Sequence, residues 1–357
     1  MADYDSLFAK EYLHMTQRPI LAATMGDPAG IGPEICVRAL LSDEVRTLSR
    51  SFVIGDARIL AKAMEVCGLH GVLNRIAGPE DIADKPGVID VLHQETADPA
   101  VLQIGKVQPL GGEAAFAAIR TSIDLSMAGR VAGVVTAPIN KESLKAAKIP
   151  FIGHTEMFAE YTGAKEEMTM FTISGLKIFF LTRHVSLARA CALMSEELVT
   201  KGINQCIKAL GQLGFENPHL AVAALNPHGG EDGMFGREEI DALKPAIAAA
   251  RARGLKVAGP VPADSVFHLA RIGRYDAVLS LYHDQGHIAA KMMDFEKTVS
   301  VTLGLPVLRT SVDHGTAFDI AGTGKASAVS MIEAIKVAAE YVVAGVRLGD
   351  PVAKAAE

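Results

Sequence analysis

The feature that most constrains this chain is an alternation of short, almost wholly apolar runs with longer amphipathic stretches. "PILAATM" (19–25), "SFVIG" (51–55), "VAGVVTAP" (131–138), "KIFFLT" (177–182), "HLAVAAL" (219–225), "YDAVLSLY" (275–282) and "TVSVTLG" (298–304) look like buried strands. Between them lie helix-like stretches: "GPEICVRALLSDEV" (32–45), "SEELVTKGINQCIKALGQLG" (195–214) and "REEIDALKPAIAAARARG" (237–254). Pro33 suits a first helical turn. Strand, helix, strand with near-continuous apolar strands predicts an α/β chain whose mostly parallel sheet is covered on both faces. A last helix, residues 326–345, follows a Gly-rich loop and is expected to return onto the N-terminal part. A length of 357 residues suggests about two domains.

Composition narrows the class. A net charge of −6 argues against a nucleic-acid partner, which usually meets a basic face. No apolar run of about 18 residues is free of charge, so no membrane span is expected. The opening "MADYDSLFAKEYLHMTQRP" carries acids and no apolar core, unlike a secretory leader. Cys36, Cys67, Cys191 and Cys206 are scattered, with no CxxC pair, and read as reduced thiols. A cytoplasmic protein is the expectation.

Three histidines each follow a strand candidate: His184 after "IFFLTR", His228 after "AVAALNP" and His283 after "AVLSLY". Ligands of open α/β sheets sit outside the carboxyl ends of the strands, where loops converge. Neutral imidazole is the commonest side-chain metal ligand, so the three form a candidate divalent-metal site. Asp284 is either a carboxylate that orients an imidazole or a solvated turn residue. "MGDPAGIGPEI" (25–35) is a Gly/Pro-rich turn able to bring backbone near a ligand, without the GxGxxG order of a dinucleotide fingerprint. "VDHGTAFDIAGTGKA" (312–326) places Gly315, Gly322 and Gly324 in a polar loop before a helix. "GHTE" (153–156) offers His154 and Thr155 as polar contacts on a predicted loop. Lys291 and Arg309 could neutralise a phosphate, Arg309 through a bidentate fork.

Together, "MGDPAGIGPEI", "VTAPINKE", "GHTE", "LNPHGGEDG", "PADSVF", "YHDQGH" and "RTSVDHGTAFDIAGTG" resemble the 4-hydroxythreonine-4-phosphate dehydrogenase family over about residues 19 to 345. The final motif is also similar to a loop of isopropylmalate and isocitrate dehydrogenases. The resemblance implies their two-domain α/β fold, with mostly parallel sheets and the active site in the interdomain cleft. The expected division is an N-terminal extension (1–18), a discontinuous larger domain (19–142 plus 315–357), and a second domain (143–314) carrying metal ligands and dimer interface. It implies a homodimer with shared active sites, in which His184 and His228 bind one divalent ion (Zn, Mg, Mn or Co) with His283 of the other subunit. It further implies substrate contacts from His154, Thr155, Lys291, Ser300 and Arg309. Catalytic roles are implied for Lys291, Asp264 and Asp284. NAD, or NADP in its place, would lie against Gly315, Thr316, Asp319 and Gly322.

Two departures bear on the substrate. The biosynthetic members usually read HDQGL-P where this chain has Gly286-His287-Ile288, and they carry an Asn where Ser300 stands. These features resemble a catabolic branch acting on 4-phospho-D-threonate or 4-phospho-D-erythronate. The expected reaction is oxidation of a phosphorylated 3-hydroxy acid, with decarboxylation of the 3-keto product. Rivals are a metal-dependent hydrolase on the same histidines, a phosphate acyltransferase on a related fold, and a solute-binding protein.

Overall fold

The computed structural model describes residues 18–346. The extension expected at the N-terminus, apart from Arg18, and residues 347–357 lie outside the described residues. The strands are β1 (Ile20–Thr24), β2 (Arg50–Gly55), β3 (Val72–Ile76), β4 (Val88–His93), β5 (Gly133–Thr136) and β6 (Met168–Ile173). They continue with β7 (Leu176–Phe180), β8 (Leu220–Ala223), β9 (Val257–Val261), β10 (Ala277–Ser280), β11 (Val299–Leu303) and β12 (Arg309–Val312). All join one sheet in the order β3-β4-β2-β1-β5-β12-β11-β6-β7-β10-β8-β9.

The α/β arrangement with a mostly parallel sheet is as the sequence predicts. The strands from β3 to β12 in that order run parallel, and so do β7, β10, β8 and β9. Between these blocks, β11 is antiparallel to both β12 and β6, and β6 is antiparallel to β7. These reversals make the two blocks run in opposite senses. β6 and β7 form a hairpin whose connecting residues, Ser174 and Gly175, both have positive φ (45° and 82°). Such turns match the twist of paired strands.

The last helix, Val329–Val343, does return onto the N-terminal part. Thr310 Oγ1 donates to the Ala334 carbonyl at 2.8 Å, and Lys336 pairs with Glu44 at 2.7 Å. The helix expected over 237–254 is split into a π turn, Glu239–Leu243, and an α-helix, Lys244–Ala252, with Pro245 near the junction. Proline has no N–H for the ladder there. Among the described residues no helix is long and apolar enough to cross a membrane.

Candidate active site

The antiparallel seam is where the polar residues gather. Thr302 stands opposite both Thr169 and Arg309, Ser300 opposite Phe171 and Ser311, and Ser311 opposite Thr136. Side chains directly across a ladder share a face, so these residues line one face of the seam. The alternate residues Val299 and Val301 point the other way, into the main core with Ala334 and Ala338.

Arg309 is the centre of that polar face. It is only 5% exposed. Its Nη1 donates to Thr302 Oγ1 at 2.7 Å and its Nη2 to Thr136 Oγ1 at 3.0 Å, and the guanidinium lies 5.4 Å from the Phe158 ring centre. No ion pair with a carboxylate forms among the described residues. Burial pushes its pKa down to about 9. A buried cation without a counter-charge is costly, and a bound anion would relieve that cost. His154 opens the helix His154–Thr162 instead of lying on a loop. Its Nε2 is sealed from solvent with no hydrogen-bond partner. Burial, and then the charge of Arg309, hold its pKa well below the ordinary value, so the ring is neutral. Thr155 follows in the same turn.

The segment "YHDQGHIAAK" is also helical, from His283 to Met293. Gly286 explains how this helix lies so close to the sheet. A Cβ there would come 2.5 Å from Phe180 Cε1 and 2.7 Å from Ser280 Oγ. His283, His287 and Lys291, spaced by four, fall on one helix face. His287 stacks on His283 with ring centres 3.6 Å apart and planes 10° apart. It also rests against Phe171 and Phe180, at 4.5 and 4.4 Å. Asp284 Oδ1 lies 2.6 Å from His283 Nδ1, and the Asp284 side chain is at the same time 71% exposed. Lys291 Nζ is 2.9 Å from Asp313 Oδ2, beyond the end of β12.

β7, β10 and β8 are adjacent and parallel. His184, His283 and His228 therefore leave the same end of the sheet. The rings of His184 and His283 lie 6.1 Å apart. Burial, then the charges of Arg183, Lys141 and His283, lower the pKa of His184, which favours the neutral, metal-ligating form. His228 is set differently. It begins a run of left-handed residues (φ 53°), its side chain is 67% exposed, and its Nδ1 lies 3.0 Å from Glu231 Oε1. Glu239 steadies the base of this turn by accepting from the backbone N–H groups of Leu225 and Asn226, each at 2.8 Å. Among the described residues no three His, Cys, Asp or Glu side chains converge to hold a metal. One chain thus offers a neighbouring imidazole pair and a separate, outward-facing third. Of the three candidate ligands, two are neighbours within a single chain and the third is not beside them.

The loop after β12 packs on the loop after β1. Ile31 N–H donates to the Thr316 carbonyl at 3.0 Å, and a Cβ on Gly30 would approach Thr316 to 2.8 Å. The N–H groups of Gly322 and Gly324 both donate to the Glu34 carboxylate, at 2.6 and 2.9 Å. They are already engaged and do not form an open anion cradle. Gly315, with open space where a Cβ would stand, and the exposed Asp319 form the accessible wall, while Thr316 is buried. This wall fits contact with a dinucleotide's exterior, and Gly322 fits a supporting role. Asp264 is exposed on the helix Ala263–Arg271, beyond edge strand β9, with no hydrogen bond or ion pair among the described residues. The structure does not bring it to the seam within one chain.

Thr136, Thr302 and Phe158, which frame Arg309, and Thr169 with Arg183, which donates to it, are functional-site residues that no sequence motif singles out. A signal existed. Thr298, Ser300 and Thr302 alternate with valines, as Thr169 and Phe171 alternate with methionines, and period-two polarity inside a strand marks a face that meets something polar.

The family described as "Pyridoxal phosphate biosynthetic protein PdxA" matches residues 47–338. The chain belongs to the PdxA family. A relative of this PdxA-family chain, named "Putative D-threonate 4-phosphate dehydrogenase", from Symbiobacterium thermophilum, is 56% identical over 330 residues, covering 92% of this chain and 98% of the relative. One of the same name from Halalkalibacterium halodurans is 53% identical over 327 residues, with the same coverage. Among solved structures, 4-hydroxythreonine-4-phosphate dehydrogenase from Klebsiella pneumoniae superposes with a TM-score of 0.84 at 40% identity, covering 92% of this chain and 99% of that one. The PdxA-family fold is therefore shared over nearly the whole chain.

Proposed function

We propose that this protein is an NAD-dependent, divalent-metal-dependent dehydrogenase that oxidises 4-phospho-D-threonate, or a close phosphorylated 3-hydroxy acid, and then decarboxylates the product. The observation that carries this reading is the buried, carboxylate-free Arg309, with neutral His154 beside it. That arrangement suits a phosphate better than any neutral group. Relatives named for D-threonate 4-phosphate supply the class of substrate.

In this reading Arg309, His154 and Thr155 bind the phosphate and fix the substrate along the seam, with Ser300 lining its middle. A bound metal would stabilise negative charge on the substrate's alcohol and carboxylate oxygens, and a bound nicotinamide would take the hydride. His184, His228 and His283 are the residues that would hold the metal, with Asp284 fixing the His283 ring. Oxidation removes a hydride from the carbinol carbon and a proton from its hydroxyl. Decarboxylation breaks the bond to the carboxylate carbon, leaves its electron pair on the neighbouring carbon, and ends with a proton delivered there. Lys291, on the same helix face as His283 and His287, would carry that proton.

A homodimer completes the metal set. The helix that carries His283 shows Ile288 (61% exposed) and Met292 (80%) to solvent, and Phe295, just past its end, is 62% exposed. Met234 and Phe235, near His228, are exposed as well. Such patches at both ends of the incomplete set fit a second copy of the chain.

The test is NADH absorbance with 4-phospho-D-threonate, 4-phospho-D-erythronate and 4-phosphohydroxy-L-threonine, each with NAD or NADP and each candidate metal. Reduction of NAD with preference for an aldonate is expected. Preference for the amino acid would move the chain to the biosynthetic substrate. Release of phosphate without NAD reduction would replace the reading by a hydrolase.

A further inference from the structure

Arg183 follows β7 and adjoins His184, and no role described so far uses it. Its Nη1 donates to Thr169 Oγ1. Thr169 stands opposite Thr302, whose hydroxyl receives Nη1 of Arg309. Two guanidinium groups therefore rest on neighbouring hydroxyls of the same sheet face. Side chains directly opposite on such a ladder are roughly 5 Å apart at Cβ. Among the described residues neither arginine forms an ion pair with a carboxylate; Glu167 acts on Arg183 only from beyond that range. Elsewhere in the chain arginines commonly find one, as Arg58 does with Asp56 and Arg237 with Asp241. The threonine hydroxyl occupies one N–H of Arg183 and leaves most of its fork for something else.

The two arginines are not equivalent. Arg309 is buried between β5 and β11 with His154, a setting for the more highly charged end of a ligand. Arg183 is half-buried and lies beside the His184–His283 pair. A planar fork matches a carboxylate.

We propose that Arg183 is a carboxylate-binding residue and that, with Arg309, it clamps a small ligand carrying a carboxylate at one end and a phosphate at the other. The identity of that ligand rests on the function proposed above; the two-cation arrangement does not. Recognition of the acid by its free carboxylate would then be built into the protein, in addition to any metal.

The experiment measures binding of 4-phospho-D-threonate and of threitol 4-phosphate, in which a hydroxymethyl group replaces the carboxylate, by calorimetry without NAD. The metal-loaded wild type should prefer the acid. Arg183→Met should lose about 10- to 100-fold in affinity for the acid and little for the alcohol. Arg183→Lys, which keeps the charge and loses the fork, should retain part of the preference, and its melting curve reports whether the fold survives. Because the readout is a ratio, a partly unfolded variant does not mimic the effect. If Arg183→Met weakens both ligands equally, or leaves the ratio unchanged, the clamp is wrong and the substrate reading stands. If the wild type binds neither ligand, the substrate reading fails and takes the clamp's ligand with it.

Discussion

Across the seam, from β12 at one lateral end to β7 and its neighbours at the other, the site is built to different degrees of completion. At the Arg309 end a single chain finishes the job: the guanidinium is buried, hydrogen-bonded to threonines of two neighbouring strands, and capped by Phe158 and His154. At the histidine end, His184 and His283 approach each other while His228 stands exposed on a left-handed turn. The anion end is pre-organised, and binding there need not order its receptor first. The metal end, in the function proposed here, waits for a second chain. The difference suggests that phosphate recognition belongs to the protomer and chemistry to the assembly.

The largest test of that contrast is at the histidine end. His228→Ala should lower turnover by more than about 100-fold, because even the partners that orient metal ligands cost that much. It should leave phosphate-ligand binding nearly intact. Mixed dimers of His184→Ala and His228→Ala chains should regain activity, since one site then carries both lesions and the other carries none. No recovery after verified subunit exchange would mean that each chain builds its own site.

At the other end the balance should invert. Arg309→Met should weaken a phosphorylated ligand by about 10- to 100-fold in calorimetry. It should not lower the melting temperature, because it removes a buried charge that lacks a counter-charge. A large loss of stability would show that the arginine supports the fold more than it receives a ligand.

The smallest effect concerns His154. Its folded-state pKa lies well below the ordinary 6.5, through burial first and Arg309 second. Protonation therefore favours the unfolded chain. The neutral ring's contribution is whole above about pH 6.5 and is lost as pH falls beneath it. Between about pH 7.5 and about pH 5.5, ligand-free wild type should lose roughly 2–4 °C more in melting temperature than His154→Asn. Equal slopes would place His154 in contact with water.

The parts of this design that were legible in the sequence are those with a one-dimensional signal. β1, β2, β5, β7, β8, β10 and β11 were visible as apolar runs, and the strand-end histidines were visible because each follows one of them. β9 contains Gly259 and Pro260, which read as a break, and the exposed β3 lacks a hydrophobic face. β12, "RTSV", is polar because Arg309 and Ser311 lie on the polar face of the seam. The helix at His283 was hidden by Gly286, a poor helix former that is needed for close approach to Phe180. Arg309 and Lys291 could be named from their places after strand-like runs, but their setting could not. The absence of a counter-charge on Arg309 and the pairing of Lys291 with Asp313 are properties of strands and loops far apart in the chain.

The opposed senses of the two parallel blocks also set a length. Measured along the strands, the loops that follow β1 and β12 gather at one mouth of the seam, and those that follow β7, β8 and β10 gather at the other, where Arg309 begins β12. β12 has four residues, so the two sets of loops stand about 13 Å apart. The helix from His283 to Lys291 spans about 12 Å and bridges the same interval. The seam acts as a ruler between the loop that would meet a dinucleotide and the loops that would meet a metal. Two extra residues in each seam strand would lengthen it by about 7 Å. Every side chain could then keep its neighbours, and the two reacting partners would no longer touch.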